Sequence, residues 1–310
     1  MNKKEKEMRV EMFRVVGDLA PLVQVFFLDK DAQEHTGLLL LDSGSNENIL
    51  CGDMGRYVGD NSKIEGKTGK VYTVSGDYQS IEYVNFSFAF GGSQFHEEFG
   101  INAVNLPKLV GDLQIIGILG IDFMQRHQLV IDYSDFTVHT SDITPENLNI
   151  NDCDFFTPMT IGLKYYNMPL LSMHQNGKEI MVLADTGASN NMLASQTIAD
   201  NSFECHYLDS TDIITGLAGN IETKEAIVNF NLLTLIGDEI GKLAYHDLFK
   251  VTPNYIYTPM DDCCDEEGEP LPPIEAIICS PFMAKEGWIL DFGAEIMFKR
   301  KRETCFKEAV

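Results

Sequence analysis

Two aspartates stand at corresponding places in an internal repeat, and they are the side chains most able to do chemistry in this chain. Each follows an apolar run and opens a polar turn; the two motifs read Asp42-Ser43-Gly44-Ser45 and Asp185-Thr186-Gly187-Ala188. Burying a carboxylate is costly unless it is hydrogen-bonded or protonated. Because this costly group occurs twice at equivalent positions, we expect the two carboxylates to meet across a pseudo-twofold axis. The alternative is two unrelated turns, since Asp and Gly are ordinary turn residues.

A pair of carboxylates in contact has a specific chemistry. Two such groups about 3 Å apart cannot both ionise, so they share one proton. The ionised group can take a proton from a water held between them, while the protonated group polarises a carbonyl. Gly44 and Gly187 would let the backbone come close and donate N–H groups to the carboxylates. This chemistry uses water as the nucleophile and predicts neither a metal nor a cofactor.

Four segments recur in the same order with a period near half the chain length. They begin at Leu38 and Met181, at Ile64 and Ile214, at Val84 and Val228, and at Ile118 and Ile277. The first three pairs are 143, 150 and 144 positions apart, and the last pair is 159 apart. We therefore predict two similar halves, residues 1–150 and 151–310, with extra residues in the second half before Ile277. The acidic segment Met260–Pro273 is the expected insertion.

Short apolar segments broken by Gly, Asn, Asp and Pro predict strands through most of the chain. The segment Tyr83–Phe90 alternates apolar and polar residues with the period of a strand. Helix is predicted only as single turns, at Phe123–His127, Ser195–Asp200 and Phe282–Glu286. The predicted fold class is all-β, with two similar lobes related by a pseudo-twofold axis and few short helices.

With these motifs, the sequence resembles the pepsin and retropepsin group of aspartic proteases over nearly its whole length. That group carries Asp-Thr/Ser-Gly-Ser/Ala after an apolar pair, and later two hydrophobic residues and a glycine, here Ile118-Leu119-Gly120. The resemblance implies β-barrel-like lobes that bind a peptide or protein substrate between them. It implies an aspartic endopeptidase whose active site is complete within one chain. It also implies that the Ser43 and Thr186 hydroxyls reach across to the opposite lobe and hold the two loops together.

One position departs from the group's pattern, because Cys279 stands where the second half should repeat Gly120. The glycine lets two loops cross beside the catalytic aspartate, so a cysteine there either distorts the second carboxylate or simply packs. Distortion would favour a second function, a catalytically degenerate protease fold that binds a peptide or protein without cutting it. Retention of both aspartate motifs counts against this, since a binding module needs neither carboxylate. A purely structural duplicated β protein is the third alternative.

Two glycine pairs fall where such proteases carry a flap, a mobile hairpin that closes over the peptide. They are Gly66 with Gly69, and Gly216 with Gly219. Glycine suits the tip of a tight hairpin, although an ordinary surface hairpin would use the same residues. Two flaps would make the molecule resemble a fused retropepsin dimer more than pepsin, which has one.

The fourth residue of the motif differs between the two halves. A hydroxyl at Ser45 could donate to Asp42 and favour its charged form, whereas Ala188 offers Asp185 no such donor. The sequence therefore predicts an asymmetric pair, with the negative charge on Asp42 and the proton on Asp185.

The composition argues against several kinds of partner. A formal net charge of −24 repels nucleic acid and anionic membrane surfaces, and the longest apolar runs are too short to span a bilayer. The seven cysteines are odd in number and form no Cys-x-x-Cys pair, which argues against a disulfide framework and a zinc site. The basic N-terminus lacks a following apolar stretch, so we expect a cytoplasmic protein.

Other side chains are expected to be structural. The histidines show no metal-ligand spacing, and the acidic run Asp261–Glu269 lacks the alternating ligands of a calcium loop. Asp132 and Asp291 end apolar runs without a following Ser/Thr-Gly, so we expect them to stabilise strand ends. The single tryptophan, Trp288, is expected in the core.

Overall fold

The computed structural model describes residues 8–15, 18–59, 62–72, 78–102, 114–143, 148–159, 168–201, 203–216, 219–236, 239–256 and 272–301. Within these ranges the protein is mostly β-sheet with few helices, in agreement with the predicted all-β class. None of the described helices is long and apolar enough to cross a membrane. The predicted insertion, apart from residues 272–273, and the acidic run Asp261–Glu269 lie outside the described residues.

The strands of the first half, in chain order, are β1 (Arg9–Glu11), β2 (Phe13–Val15), β3 (Asp18–Leu28), β4 (Glu34–Leu41), β5 (Ile49–Cys51), β6 (Lys63–Tyr72), β7 (Tyr78–Phe90), β8 (Ser93–Asn102), β9 (Ile115–Leu119), β10 (Leu129–Asp132) and β11 (Thr137–Thr140). Those of the second half are β12 (Cys153–Pro158), β13 (Leu170–Gln175), β14 (Lys178–Asp185), β15 (Met192–Ala194), β16 (Cys205–Gly216), β17 (Gly219–Ile236), β18 (Glu239–Thr252), β19 (Ala276–Cys279), β20 (Ile289–Asp291) and β21 (Ile296–Arg300).

Short helices connect some of these strands. The described α-helices are α1 (Ile121–Arg126), α2 (Ser195–Asn201) and α3 (Ser280–Glu286), and 3-10 turns form at Gly52–Arg56 and Ile150–Asp152. The three predicted helical turns are therefore confirmed, two of them with starts two residues earlier than expected. Helix α1 begins one residue beyond Gly120, which follows β9, and α3 begins directly after β19, so both helices follow equivalent strands of the repeat.

Two sheets repeat one order of strands. The amino-terminal sheet runs β2-β3-β4-β9-β5-β8-β7-β6, and the carboxy-terminal sheet runs β13-β14-β19-β15-β18-β17-β16. If β2 is set aside, each strand of the first sheet has a counterpart at the same position in the second. The additional pairing of β3 with β7 is likewise repeated by β13 with β17. The repeat noticed in the sequence therefore extends to the connectivity of the sheets.

A third sheet is built from both halves of the chain. Its order is β1-β11-β10-β20-β21-β12, so three strands come from each half and the two halves meet where β10 pairs with β20. Asp132 and Asp291 lie at this junction and accept hydrogen bonds from backbone amides two or three residues further on. They are structural strand-end residues, as expected.

Alternation along the strands divides the apolar side chains between two faces. On β4, Leu39 and Leu41 pack into the largest core cluster, while Leu38 and Leu40 pack into a smaller cluster on the opposite face. The largest cluster also contains Trp288, which is fully buried and stacks on Phe155 with ring centroids 4.9 Å apart. The prediction that Trp288 belongs to the core is confirmed.

Candidate active site

The two motif aspartates meet. Asp42 directly follows β4 and Asp185 ends β14, and the two carboxyls lie close enough for each to shift the pKa of the other. Each β-strand runs parallel to a neighbour, β9 or β19, that is drawn from the fourth recurring segment. The carboxyl ends of β4 and β14, which are interior strands of two different sheets, thus bring together two residues 143 positions apart.

The glycines of the motifs make this approach possible. A Cβ atom at Gly44 would lie 2.6 Å from Asp185 Oδ2, and one at Gly187 would lie 2.5 Å from Asp42 Oδ1. Any side chain at either position would push the opposite carboxyl away, since such separations are below van der Waals contact. The glycine of each motif is therefore required by the aspartate of the other.

The hydroxyls of the second motif position form a reciprocal set of bonds between the halves. Ser43 Oγ donates to the carbonyl of Ala184 over 2.6 Å and accepts the amide of Thr186 over 2.9 Å. Thr186 Oγ1 donates to the carbonyl of Leu41 over 2.7 Å and accepts the amide of Ser43 over 2.9 Å. Both side chains are fully buried, so the four bonds tie the two loops together without competition from water.

Backbone amides hold each carboxyl in place. The amide of Gly44 donates to Asp42 Oδ1 over 2.9 Å. The amides of Gly187 and Ala188 donate to Asp185 Oδ1 over 2.8 and 3.1 Å. These N–H groups favour the charged form of the carboxyl that they contact.

Burial and mutual contact set the protonation of the pair. Removal from water raises the pKa of both carboxyls, although each residue keeps some solvent-accessible surface. The pKa of Asp42 is raised well above its usual value, first by burial and then by the negative charge of Asp185. The pKa of Asp185 is also raised by burial, but hydrogen bonds from Asp42, Gly187 and Ala188 oppose that rise. The pKa of both carboxyls is therefore raised, and the two groups titrate as a coupled pair that shares one proton.

The hydroxyl bond from which the negative charge was predicted on Asp42 does not form. The Ser45 hydroxyl does not contact Asp42; it donates to the backbone carbonyl of Glu47 over 2.8 Å. A serine hydroxyl rotates freely and takes the acceptor that the local turn offers, so its presence beside an aspartate did not determine its partner. The Ser45 hydroxyl supports the loop, and it is the backbone amide of Ser45 that lowers the pKa of Asp42.

No role was predicted for two asparagines, although they occupy equivalent positions in the repeat. Asn48 Oδ1 accepts the amide of Gly120 over 3.0 Å, and Asn191 Oδ1 accepts the amide of Cys279 over 3.0 Å. Both asparagines are buried. Each stands six residues after its aspartate, and the constant offset of 143 positions was the signal that could have found them. They join each aspartate loop to the strand beside it.

These bonds show how Cys279 is accommodated. At Gly120, a Cβ atom would lie 2.7 Å from the carbonyl oxygens of Ser45 and Glu47, so the first half tolerates only glycine. Cys279 is buried and keeps the same amide bond to its asparagine. Asp185 meanwhile keeps both of its backbone donors. The cysteine packs beside the second aspartate and does not displace it, while burial raises the pKa of its thiol to about 12.

The two glycine pairs occupy different places in their hairpins. Gly216 faces Gly219 at the last pairing of the β16–β17 ladder. Gly69 instead pairs with Ile81 inside the β6–β7 ladder, and Gly66 lies with positive φ in an irregular stretch of β6. Tyr72 and Tyr78 make the last pairing of that hairpin, and its turn lies outside the described residues. Only the second pair therefore stands at a hairpin end.

Two apolar clusters include side chains of the strands that lead to the aspartates. The amino-terminal wall consists of Leu22, Leu38, Leu40, Ile49, Ile81, Tyr83, Ile115 and Ile118. The carboxy-terminal wall consists of Met168, Leu170, Leu183, Met192, Ile256, Ile274 and Ile277. Because side chains two apart on a strand share a face, Asp42 lies on the face of Leu40 and Asp185 on the face of Leu183. Each aspartate therefore lies on the strand face that the wall of its own half occupies.

Other parts of the described surface offer less chemistry. A surface pocket of about 600 Å³ is lined by Asp154, Lys285, Glu286, Lys299 and Lys301, and it contains neither motif. Within the described ranges, no group of three or more His, Cys, Asp or Glu side chains is placed to hold a metal ion. The described cysteines, Cys51, Cys153, Cys205 and Cys279, are all free thiols.

The chain matches no protein-family model, and no curated protein is significantly similar to it.

Proposed function

We propose that this chain is an aspartic endopeptidase of the pepsin and retropepsin type, complete within one polypeptide. The observation that carries the proposal is the close approach of the Asp42 and Asp185 carboxyls. Backbone amides of each motif hold the carboxyls in place, and the Ser43 and Thr186 hydroxyls each donate to a carbonyl of the other half. Two turn aspartates with no joint role would have no reason to share a buried contact, because it raises the pKa of both.

In the proposed reaction the negative charge lies on Asp185, whose carboxyl accepts the amides of Gly187 and Ala188, and the proton lies on Asp42. Asp185, negatively charged, takes a proton from a water molecule as the water oxygen attacks the carbonyl carbon of the peptide bond. Asp42 donates its proton to the carbonyl oxygen, which gives a neutral tetrahedral intermediate. The intermediate collapses as Asp185 passes its proton to the leaving nitrogen, the C–N bond breaks, and Asp42 recovers the hydroxyl proton. No metal or cofactor enters this scheme.

In this proposal the two sheets with their apolar walls form two lobes related by a pseudo-twofold axis. The matching order of strands in the two sheets supports that arrangement. An extended peptide would lie between the walls and pair with strand edges, and the β6–β7 and β16–β17 hairpins are the candidate flaps. The free thiols of the described cysteines fit a protein of the reducing cytoplasm.

Digestion of a mixed peptide library at several pH values, with and without a statine-type inhibitor, tests the function. We expect inhibitor-sensitive cleavage by the wild-type protein and a loss of at least about a thousandfold in Asp42→Asn and in Asp185→Asn. Asp154→Asn is the matched control, since Asp154 is exposed on β12. Retained cleavage in both motif variants would overturn the proposal.

Binding of peptides without cleavage would support a different function. If the wild-type protein binds library peptides but cuts none of them, the chain is a peptide-binding relative of the proteases. The bonds around Cys279 count against that outcome, because they match those around Gly120 in the first half.

A further inference from the structure

The first residues of helices α1 and α3 make the same backbone bond and carry different side chains. The amide of Ile121 donates to the carbonyl of Ser45 over 2.8 Å, and the amide of Ser280 donates to the carbonyl of Ala188 over 3.1 Å. Each helix is therefore joined to the fourth residue of an aspartate motif. The side chain at this point is aliphatic in the first half and carries a hydroxyl in the second.

Residues of the first half bind the Ser280 hydroxyl on both sides. Ser280 Oγ donates to the carbonyl of Leu19, on β3, over 2.9 Å. Because a serine hydroxyl has a single proton, the 2.5 Å contact with Tyr133 is a bond in which the tyrosine donates. Ser280 and Tyr133 are each 1% exposed, so water does not compete for these bonds. The two bonds, here called the α3 anchor, tie the beginning of α3 to two separate segments of the other half.

The two hydroxyls occur together on one side of the repeat. The residue equivalent to Tyr133 is Phe292, because each follows a strand-end aspartate and donates its amide to a carbonyl of the other half over 3.0 Å. The residue equivalent to Ser280 is Ile121. The pair at the second aspartate loop is thus tyrosine and serine, whereas the corresponding pair at the first loop is phenylalanine and isoleucine. Packing alone would be served by the apolar pair, since burying a hydroxyl is costly unless it is hydrogen-bonded.

Ala188 connects the α3 anchor to the Asp185 carboxyl. Its carbonyl accepts the amide of Ser280, and its own amide donates to Asp185 Oδ1 over 3.1 Å. Burial raises the pKa of Asp185, and the Ala188 amide is one of the groups that oppose this rise. A shift at the start of α3 would move Ala188 and weaken its bond to the carboxyl. Among the described residues, Asp42 and the Cys279 thiol are the titratable groups that interact with Asp185.

We propose that Tyr133 and Ser280 are positioning residues, whose hydroxyls fix the Asp185 loop against the first half and keep the Ala188 amide on the Asp185 carboxyl. The inference rests on the proposed function, in which Asp185 must be charged to accept a proton from water. An amide held at the carboxyl favours that charged form. The equivalent residues at the Asp42 loop carry no hydroxyl, so the α3 anchor makes the two aspartate loops unequal.

The pH dependence of peptide cleavage tests this role. Ser280→Ala removes both bonds of the α3 anchor, and we expect the acid limb of the kcat/KM profile to move upward by about 0.5–1 pH unit. The direction follows because a weakened bond to the charged form raises the pKa of the carboxyl. Tyr133→Phe keeps the bond from Ser280 to Leu19 and should give a smaller shift in the same direction.

Thr234→Val is the matched control, because it also removes a buried hydroxyl that makes two bonds. Thr234 Oγ1 accepts the amide of Phe156 over 2.9 Å and donates to the carbonyl of the same residue over 3.1 Å. Both bonds go to β12 rather than to an aspartate loop. The variant should lose stability and keep the acid limb of the wild-type protein, as any hydroxyl with a purely structural role would.

An acid limb that stays in place in Ser280→Ala, or that moves equally in Thr234→Val, would overturn the role of the α3 anchor and leave the protease function standing. Should Ser280→Ala fail to fold, Tyr133→Phe decides by the same criterion. If the wild-type protein cleaves no peptide, the protease function fails, and NMR titration of the aspartate carboxyl carbons in the wild type and in Ser280→Ala decides the role of the anchor. An upward shift of the lower titration step in the variant would then support it, and an unchanged titration would end it.

Discussion

Ser43 and Thr186 each accept the backbone amide of the other through a side-chain oxygen, both over 2.9 Å. The two hydroxyls then donate to carbonyls of the opposite strands, at Ala184 and Leu41. The result is a closed set of four bonds in which each half of the chain completes the other. Such an arrangement gives the site rigidity, because neither loop can move without breaking bonds in both halves.

Removal of one hydroxyl should therefore cost stability. Thr186→Val leaves the Leu41 carbonyl and the Ser43 amide buried without partners, and we expect a loss of about 2–4 kcal/mol in the free energy of unfolding. Urea unfolding measures it. Two controls should each lose much less stability. Thr186→Ser keeps the hydroxyl, and Thr157→Val removes a hydroxyl from a half-buried residue of β12. Equal losses in Thr186→Val and Thr186→Ser would show that the hydroxyl is not responsible.

The raised pKa values of the aspartate pair should make the protein less stable as pH rises. Between the unfolded and the folded pKa the native state binds more protons than the unfolded state, so the free energy of unfolding falls with increasing pH. Asp42→Asn removes the group with the larger rise. We expect it to flatten this decline and to increase stability at pH 7 by about 1–3 kcal/mol. Chemical unfolding from pH 4 to pH 8 measures both; an unchanged slope in the variant would contradict the assignment.

Ser45 should have little influence on the pH dependence of catalysis. Its hydroxyl donates to the Glu47 carbonyl and not to Asp42. We expect Ser45→Ala to leave both limbs of the kcat/KM profile in place. An upward shift of the acid limb alone would restore a hydroxyl bond to Asp42 and the opposite distribution of charge.

Gly120 and Cys279 should respond differently although they are partners in the repeat. Gly120→Ala forces a Cβ atom against two carbonyl oxygens, and we expect a loss of about 1–3 kcal/mol in stability together with reduced activity. Cys279→Gly should cost about 1 kcal/mol, through lost burial and a more flexible backbone, and leave kcat/KM nearly unchanged. A large gain in activity for Cys279→Gly would mean that the thiol does disturb Asp185.

The active unit should be a single chain. Both aspartates and the Ser43 and Thr186 hydroxyls come from one polypeptide, so no second copy is needed to complete the site. We expect the specific activity to stay constant on dilution, with light scattering to follow the molecular mass. A fall in activity that tracks dissociation would contradict this.

Much of the site could be predicted because its determinants are local in sequence. An apolar run that ends in Asp-Ser/Thr-Gly determines a strand, a turn and a buried carboxylate without reference to the rest of the chain. Repetition of the run, with an offset of 143 positions for the aspartates, predicted that Asp42 and Asp185 occupy equivalent places. The short helices, the core position of Trp288 and the strand-end roles of Asp132 and Asp291 follow from equally local patterns.

Other features depended on contacts between segments far apart in the chain. The partner of the Ser45 hydroxyl was decided by which acceptor the folded loop brings within reach. The irregular pairing of β6 with β7 moved Gly66 and Gly69 away from a hairpin end, which spacing along the sequence does not reveal.

Two copies of a strand-and-turn motif carrying a carboxylate can be read from the chain alone, because periodicity and turn chemistry act over a few residues. The tertiary structure was needed to show that the glycine of each motif contacts the aspartate of the other. It was also needed to show that the Tyr133 hydroxyl of the first half bonds Ser280 of the second. Hydrogen bonds and close packing between distant residues depend on strand register and on the faces that the sheets present, and no short segment contains that information.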